Sequence, residues 1–442
     1  MNADLRPIKS KAELGLAEMF AAARRALPGG TTVSDLRSIA FSQFAASGLP
    51  HARTEAWRYT DLRRLMQDAK PLALEPDAAA IACASDAGAV FAGLGFRRLV
   101  IVNGAFVAAL SDLSGLEAGL SVRSMAGALA SDDLMLAHRL SSTGEDDGVL
   151  SLNTALARDG MVVEISPQAT IDRPIHLAFI TTPGEATAAF VKSLVVVGAG
   201  ARATLVETHE GPDGIGYQVN ALLQILVGDE AEVEHVKVTR EGDAALHIGT
   251  LFARLGARAT FREFGLTTGG AVVRNQLLVR LAGEGTNAMM CGASLLAGRQ
   301  HADTTMTVDH VAAGGESREI FKSVTDDEAR AVFQGKITVR QAAQKTDAKM
   351  MARALLLSDD AEADGKPELE IFADDVQCGH GATTGSLDDQ LKFYLMARGI
   401  PEKEAEALLI QAFAAEVVEA VDHLGIRDAL LDATVARLGQ RG

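Results

Sequence analysis

A thiol and an imidazole two residues apart, Cys378 and His380, stand in the stretch LEIFADDVQCGHGATTGSLDDQLKFYLMARGI from Leu369 to Ile400. Its first half alternates as a strand does, so Val376, Cys378 and His380 project from one face while Gln377 and Gly379 project from the other. Thiolate and neutral imidazole are ligands that suit iron. Gly379, Gly381 and Gly385 flank them and leave the backbone room for a close partner or for turn angles other residues resist. Past the motif the pattern changes: Ser386 with Asp389 is a helix N-cap signature, and Leu387, Leu391, Tyr394 and Leu395 recur at helical spacing. The donors therefore sit on the last strand before helices begin.

The other chemistry-bearing residues form no comparable constellation. Gly198, Gly200 and Ala203 match a dinucleotide G-x-G-x-x-A pattern, but strand and turn follow instead of a helix, and no acid stands near the required distance. Gly335-Lys336 lacks the rest of a phosphate loop, so no ATP hydrolysis is expected. Asp303, Asp309 and His310 invite comparison with β-helix enzymes that cleave acidic polysaccharides, yet those are mostly secreted and no secretion signal is present. His209, His235, His247, His301 and His310 read singly as hydrogen-bonded or exposed strand histidines. Cys291, within MMCGASLLA, reads as an inert buried thiol and Cys83 as a loop residue. Three cysteines without a C-x-x-C exclude a disulfide framework and a prebuilt four-thiolate site, so any cluster must borrow ligands from elsewhere.

From about Leu150 to Ser386, short Val, Ile, Leu and Thr runs alternate with Gly, Asp and Glu turns. Related phrases begin at Ala201, Ala231, Ala257, Thr286 and Ala329, separated by 30, 26, 29 and 43 residues on subtraction. Turn plus alternating strand at an imperfect fixed period predicts stacked coils, a parallel β-helix, with the 43-residue interval an extra coil or an inserted loop. Such a stack ends in unpaired backbone that must be capped or paired with another chain. Cys378 and His380 would then lie at a subunit junction.

Around this core, Leu36, Ile39, Ala40 and Phe44 predict a helix ended by Gly48 and Pro50. HARTEAWRYTDLRRLM reads as an aromatic anchor built on Trp57 and Tyr59, and Leu99–Leu110 as two short strands around an Asn-Gly turn. In the second C-terminal helix Ala405, Leu408, Leu409, Ala412, Phe413, Val417, Ala420 and Val421 form the expected core stripe, widened by Ile410, Ala414 and Val418. The surplus apolar face could bury against another chain or within the domain. With 442 residues and a net charge of -16, nucleic acid is disfavoured as a partner. No apolar run reaches the roughly 20 residues of a membrane span, and the opening MNADLRPIKSKAELG lacks a leader's apolar core, so a cytoplasmic location is expected.

The wording DVQCGHGATTG followed by LKFYLMARGI closely resembles the C-terminal signature of SufD-type chains in the SufB/SufD family of iron-sulfur cluster assembly scaffolds. Arg53–Leu62, Val102–Phe106, Leu152–Gly160 and the segment from His301 to Ala354 extend the resemblance. SufB-type chains are expected to carry a Glu-rich sequence where this one has Cys-Gly-His. The resemblance implies a mainly β fold: a right-handed parallel β-helix (99–385) between an N-terminal helical region (1–98) and a C-terminal helical domain (386–442). It further implies a non-catalytic scaffold that pairs with a SufB-like subunit through the β-helices and binds a SufC-like ATPase at the helical end. By the same resemblance SufB is expected to receive the sulfur, and iron or a transient cluster is expected to form near the interface, with His380 as the expected ligand and Cys378 as the weaker candidate. The alternative is a structural half of a clamp without cluster ligands. A chain alone could pair with itself, and a reduced flavin accompanies some complexes of the family, although no residue here fixes its position.

Overall fold

The computed structural model describes residues 9–86, 88–131 and 147–439; the first eight residues of the opening stretch lie outside the described residues. Successive strands alternate between two sheets and wind into a parallel β-solenoid of about 8 turns. The ten-stranded sheet runs from the hairpin Arg97–Val102 and Ala105–Phe106 to Gln377–Gly385, and the nine-stranded sheet from Leu120–Ser124 to Glu362–Ile371. Each coil gives one strand to each sheet. The four phrases starting at Ala201, Ala231, Ala257 and Thr286 open consecutive strands of the ten-stranded sheet, whereas that at Ala329 opens Arg330–Val339 on the other. The 43-residue interval thus holds three strands, Asn287–Leu296, His301–His310 and Glu316–Thr325, where the others hold two; the excess is half a coil, which moves the Ala329 phrase to the other sheet, and neither an extra coil nor a looped insertion.

Inward positions such as Leu205, Val233, Phe261, Ile225, Leu251 and Leu277 fill the space between the sheets. The outer faces are also covered along most of the stack, which is why strands such as Gln218–Val227 are apolar and buried nearly throughout instead of alternating. Corners are tight. Gly198, Gly228, Gly256 and Gly283 stack there, and a Cβ on Gly283 would lie 2.0 Å from the Ala257 backbone nitrogen. The G-x-G-x-x-A match is one of these corners: Gly200, at φ +66°, donates its N–H to Asp229 O across 2.8 Å. The Asn103-Gly104 turn has φ of 49° and 84° and pairs Val102 with Ala105.

Helices Lys11–Ala23, Thr31–Ser47 and Gly148–Leu156 cover the nine-stranded sheet, with Phe44, Trp57, Leu156, Leu246 and Ile248 in one buried cluster. Gly148–Leu156 corrects the expectation that no helix intrudes beyond Leu150: its apolar residues pack on all sides and so mask a helical stripe. Trp57 is the anchor expected, 1% exposed, with the Arg274 guanidinium 3.8 Å above its ring. Arg274 donates to the Ala56 carbonyl at 2.7 Å and pairs with Asp303, both side chains fully buried, while Thr60 also bonds Asp303.

The C-terminal helices Glu402–Val418 and Leu424–Gly439 lie on the outer face of the ten-stranded sheet, where Ile410, Ala414, Val417 and Val418 meet Val236, Phe264, Cys291 and Val324. The expected stripe is shifted in part: Ala405, Val417 and Val421 are buried as read, Ile410, Ala414 and Val418, read as widening it, are buried with them, while Leu408 is 41% exposed and Ala412 is exposed. The first C-terminal helix, Asp389–Ala397, is capped by Asp388, whose carboxylate accepts from Gln390 and Leu391, rather than by Ser386. It buries none of its residues; Leu391, Phe393, Tyr394 and Met396 are all exposed. Among the described residues no helix is long and apolar enough to cross a membrane.

Candidate functional site

The last strand, Gln377–Gly385, pairs on one side only, with Asp347–Leu356, and ends the ten-stranded sheet. Its register sets Cys378 beside Ala348 and His380 beside Met350, two core residues 0% and 2% exposed. Both donors therefore continue inward-facing rows of the solenoid, at the layer where the stack stops. They differ in setting. Cys378 is half-buried and packs with Val376 against the core, while His380 is exposed. Burial pushes the Cys378 thiol above its ordinary value of 9.0; the Ala348 backbone opposes this, and Asp347 and Glu319 add to it. A thiol so placed stays protonated at neutral pH until a cation or a partner's positive charge joins it. A Cβ at Gly379 or Gly385 would meet nothing, so the edge is open for another chain to approach. Ile371 and Phe372, 43% and 58% exposed at the end of the other final strand, add apolar surface to the same rim.

Behind His380 the ladder runs inward through Met350, Glu319, Met290, Glu263 and His235. Burial pushes Glu263 and Glu319 each up to about 8. A cavity of about 50 Å³ follows this line, bordered by Glu207, Lys237, Glu263, Gly265 and Gly292 and, near the rim, by Ala382 and Thr384.

At the deep end the solenoid gathers three of the histidines that sequence reasoning treated singly. His209 Nε2 is 2.5 Å and His235 Nε2 3.1 Å from the two oxygens of Glu207; His247 Nδ1 is 2.8 Å from Glu241 Oε1, which lies 4.0 Å from His209 Nδ1. Tyr217 donates to Glu241 Oε2 at 2.7 Å, and Lys237 Nζ is 3.4 Å from His247 Nε2. All are buried. Desolvation opposes ionisation of Glu207, but Lys237 and the two histidines outweigh it and hold the carboxyl well below the usual range; His247 does the same for Glu241. Burial in turn pushes His247 down to about 4, leaving it neutral. The signal was in the sequence: ETHE and EHVK put charge and imidazole at inward positions one coil apart, and LHIG does so on the next strand, in the facing sheet.

The remaining candidates are structural. Asp303 is consumed by Arg274 and Thr60, Asp309 pairs outward with Arg340 at 2.8 Å, and His310 contacts Ser317 at 3.0 Å, so the three do not converge. His301 lies 2.9 Å from the Thr60 hydroxyl. The Cys291 thiol, under the C-terminal helices, is pushed up to about 12 by burial, as an inert thiol would be. Gly335 and Lys336 lie within a strand, and Lys336 pairs with Glu370 at 2.8 Å.

The family model for the SufBD core domain of the SUF FeS cluster assembly system matches residues 179–413, and that for the SufBD N-terminal region matches 11–177. The chain is 31% identical to the iron-sulfur cluster assembly protein SufD of Escherichia coli, over 93% of this chain and 94% of the relative. It is 33% identical to a SufBD family protein of Synechocystis, over 91% of each. A chloroplast protein of Arabidopsis thaliana, ABCI7, shares 32% identity over 63% of this chain and 60% of its own.

Proposed function

Because this chain belongs to the SufBD family of iron-sulfur cluster assembly proteins, we propose that it is a non-catalytic scaffold subunit whose rim pairs with a SufB-like chain and holds iron or a nascent cluster at the seam. The observation that carries this reading is the meeting of an unpaired edge strand with two inward-facing donors, Cys378 and His380, on its terminal layer. Two donors cannot complete a four-coordinate iron site, and the partner strand that satisfies the edge brings its own side chains to the same face. His380 is the primary ligand: exposed at the rim, it offers a nitrogen without prior deprotonation of a buried group. Cys378 joins when arriving positive charge lowers its pKa. The cluster is cargo, passed to apoproteins. A SufC-like ATPase docks on the C-terminal helices, where the exposed Leu391, Phe393 and Tyr394 leave an uncovered apolar face. ATP binding there shifts the helical arms and opens the seam, and a reduced flavin belongs to the full complex rather than to this chain.

One observation favours a second reading, in which this subunit is a structural half of the clamp: the Cys378 thiol packs on the core and is held protonated. Anaerobic Fe(II) titration of the full complex, with and without Cys378→Ser and His380→Ala, separates the two. The scaffold reading predicts lost iron stoichiometry in the His380 variant; unchanged binding in both variants leaves the clamp.

A further inference from the structure

We propose that His209 Nδ1, His247 Nδ1 and Glu241 Oε1 form a binding site for one first-row divalent cation inside the solenoid, distinct from the rim and independent of the reading given to it. One ligand atom of each residue lies within 4.8 Å of the other two, each on a buried side chain, and Glu241 Oε1 is 2.8 Å from His247 Nδ1 and 4.0 Å from His209 Nδ1. Bonds of about 2.1 Å place tetrahedral ligands roughly 3.4 Å apart, so the set closes on an ion with shifts of about an ångström. Two imidazoles and one carboxylate are the donor set of zinc and ferrous iron; magnesium and calcium take oxygen ligands.

The surroundings are those a metal site requires. Glu207 holds the far nitrogen of His209, and Tyr217 holds the far oxygen of Glu241, which aims Nδ1 and Oε1 at each other. Two carboxyl groups, Glu207 and Glu241, face the single buried ammonium of Lys237, 3.7 Å from Glu207, so the cluster holds more acidic than basic side chains around the gap between the ligands. Nδ1 of fully buried His235, in the same cluster, has no hydrogen-bond partner among the described residues. Gly249 keeps the floor open: a Cβ there would lie 2.3 Å from Lys237 Nζ and 2.8 Å from His247 Nε2. The cavity lined by Glu207, His235 and Lys237 adjoins the cluster.

Binding need release no proton. His247 moves its hydrogen from Nδ1, where it faces Glu241, to Nε2, and Lys237 turns from His247 to Glu207, already 3.7 Å away. No oxidation or bond cleavage is involved.

The test uses the full-length chain and Co(II) as probe, followed by Zn(II) and, anaerobically, Fe(II). Equilibrium dialysis should find one ion per chain, equally in the wild type and in a Cys378→Ser/His380→Ala variant. His209→Gln, His247→Gln and Glu241→Gln should each abolish that binding, and Tyr217→Phe should weaken it about 10- to 100-fold, the usual effect of losing an outer support. X-ray absorption of the Co(II)-loaded wild type, which needs no variant to fold, should show nitrogen and oxygen neighbours with imidazole scattering. No bound ion, a sulfur neighbour, or binding lost in the rim variant and kept in the interior ones overturns the proposal.

Discussion

Glu319 is a carboxyl sealed in the solenoid between Met290 and Met350 of the neighbouring coils, and replacing it with Gln should change how stability depends on pH. Burial, the dominant influence, raises its pKa from the ordinary 4.5 to about 8 against the opposing effects of Ser317 and Arg318. The folded chain therefore keeps this proton where the unfolded chain has lost it. Between the two values the unfolded state binds fewer protons, so stability falls as pH rises from 4.5 towards 8, by about 1.4 kcal/mol per pH unit. From pH 5 to 7.5 the wild type should lose about 3 kcal/mol to this group alone, and Glu319→Gln should lose none of it. Burying the amide costs the same at both pH values, so it cancels from the comparison. Urea denaturation of both proteins at the two pH values reads the difference directly. Parallel pH profiles would refute the claim that this acid is buried neutral.

Asp303→Ala leaves the Arg274 guanidinium buried and unpaired beneath Trp57, and should cost about 3–5 kcal/mol in the same denaturation assay. Because the N-terminal segment hangs on this contact, protease should cut between Arg53 and Leu62 first. At low pH the buried histidines dominate: His176, His247 and His310 are each pushed from 6.5 down to about 4, chiefly by burial. Their contribution is whole above pH 6.5 and is lost as pH falls towards 4, up to about 3 kcal/mol each; His310→Gln should flatten its share of that decline. Phe393→Glu, at an exposed position, should leave the melting temperature unchanged yet weaken capture of a SufC-like ATPase by at least about 30-fold, as for a central interface aromatic; undiminished capture would remove this helix from the docking face.

The coil period was legible because corners repeat: Gly-x-x-Ala steps begin at Gly198, Gly228 and Gly256, where one coil passes close over the next and a Cβ would lie within 3 Å of backbone atoms. The second strand of each coil was less legible, since Gln218–Val227 and Leu246–Leu255 are buried on both faces and show no alternation of their own. The rim pair was legible for the opposite reason. In Gln377–Gly385 the two donors stand two residues apart among glycines, and that spacing alone puts them on one face of a strand. The face used by Glu402–Val418 was not, because an alanine-rich helix offers several nearly equivalent stripes and the sheet beneath chooses among them. The histidine cluster required knowing which coils lie in register, so Glu207, His235 and His247, spread over 40 residues, looked like separate strand residues.

The central claim, that the open end of the stack presents metal donors to a seam, is tested most directly by cluster formation in the full complex with its SufB-like and SufC-like partners, carrying either wild-type chain or His380→Ala. Followed by visible absorption under anaerobic reconstitution with sulfide and ferrous iron, the wild-type complex should build a cluster. The variant should assemble to the same stoichiometry and build little or none. An equal cluster yield from the variant complex would contradict the account.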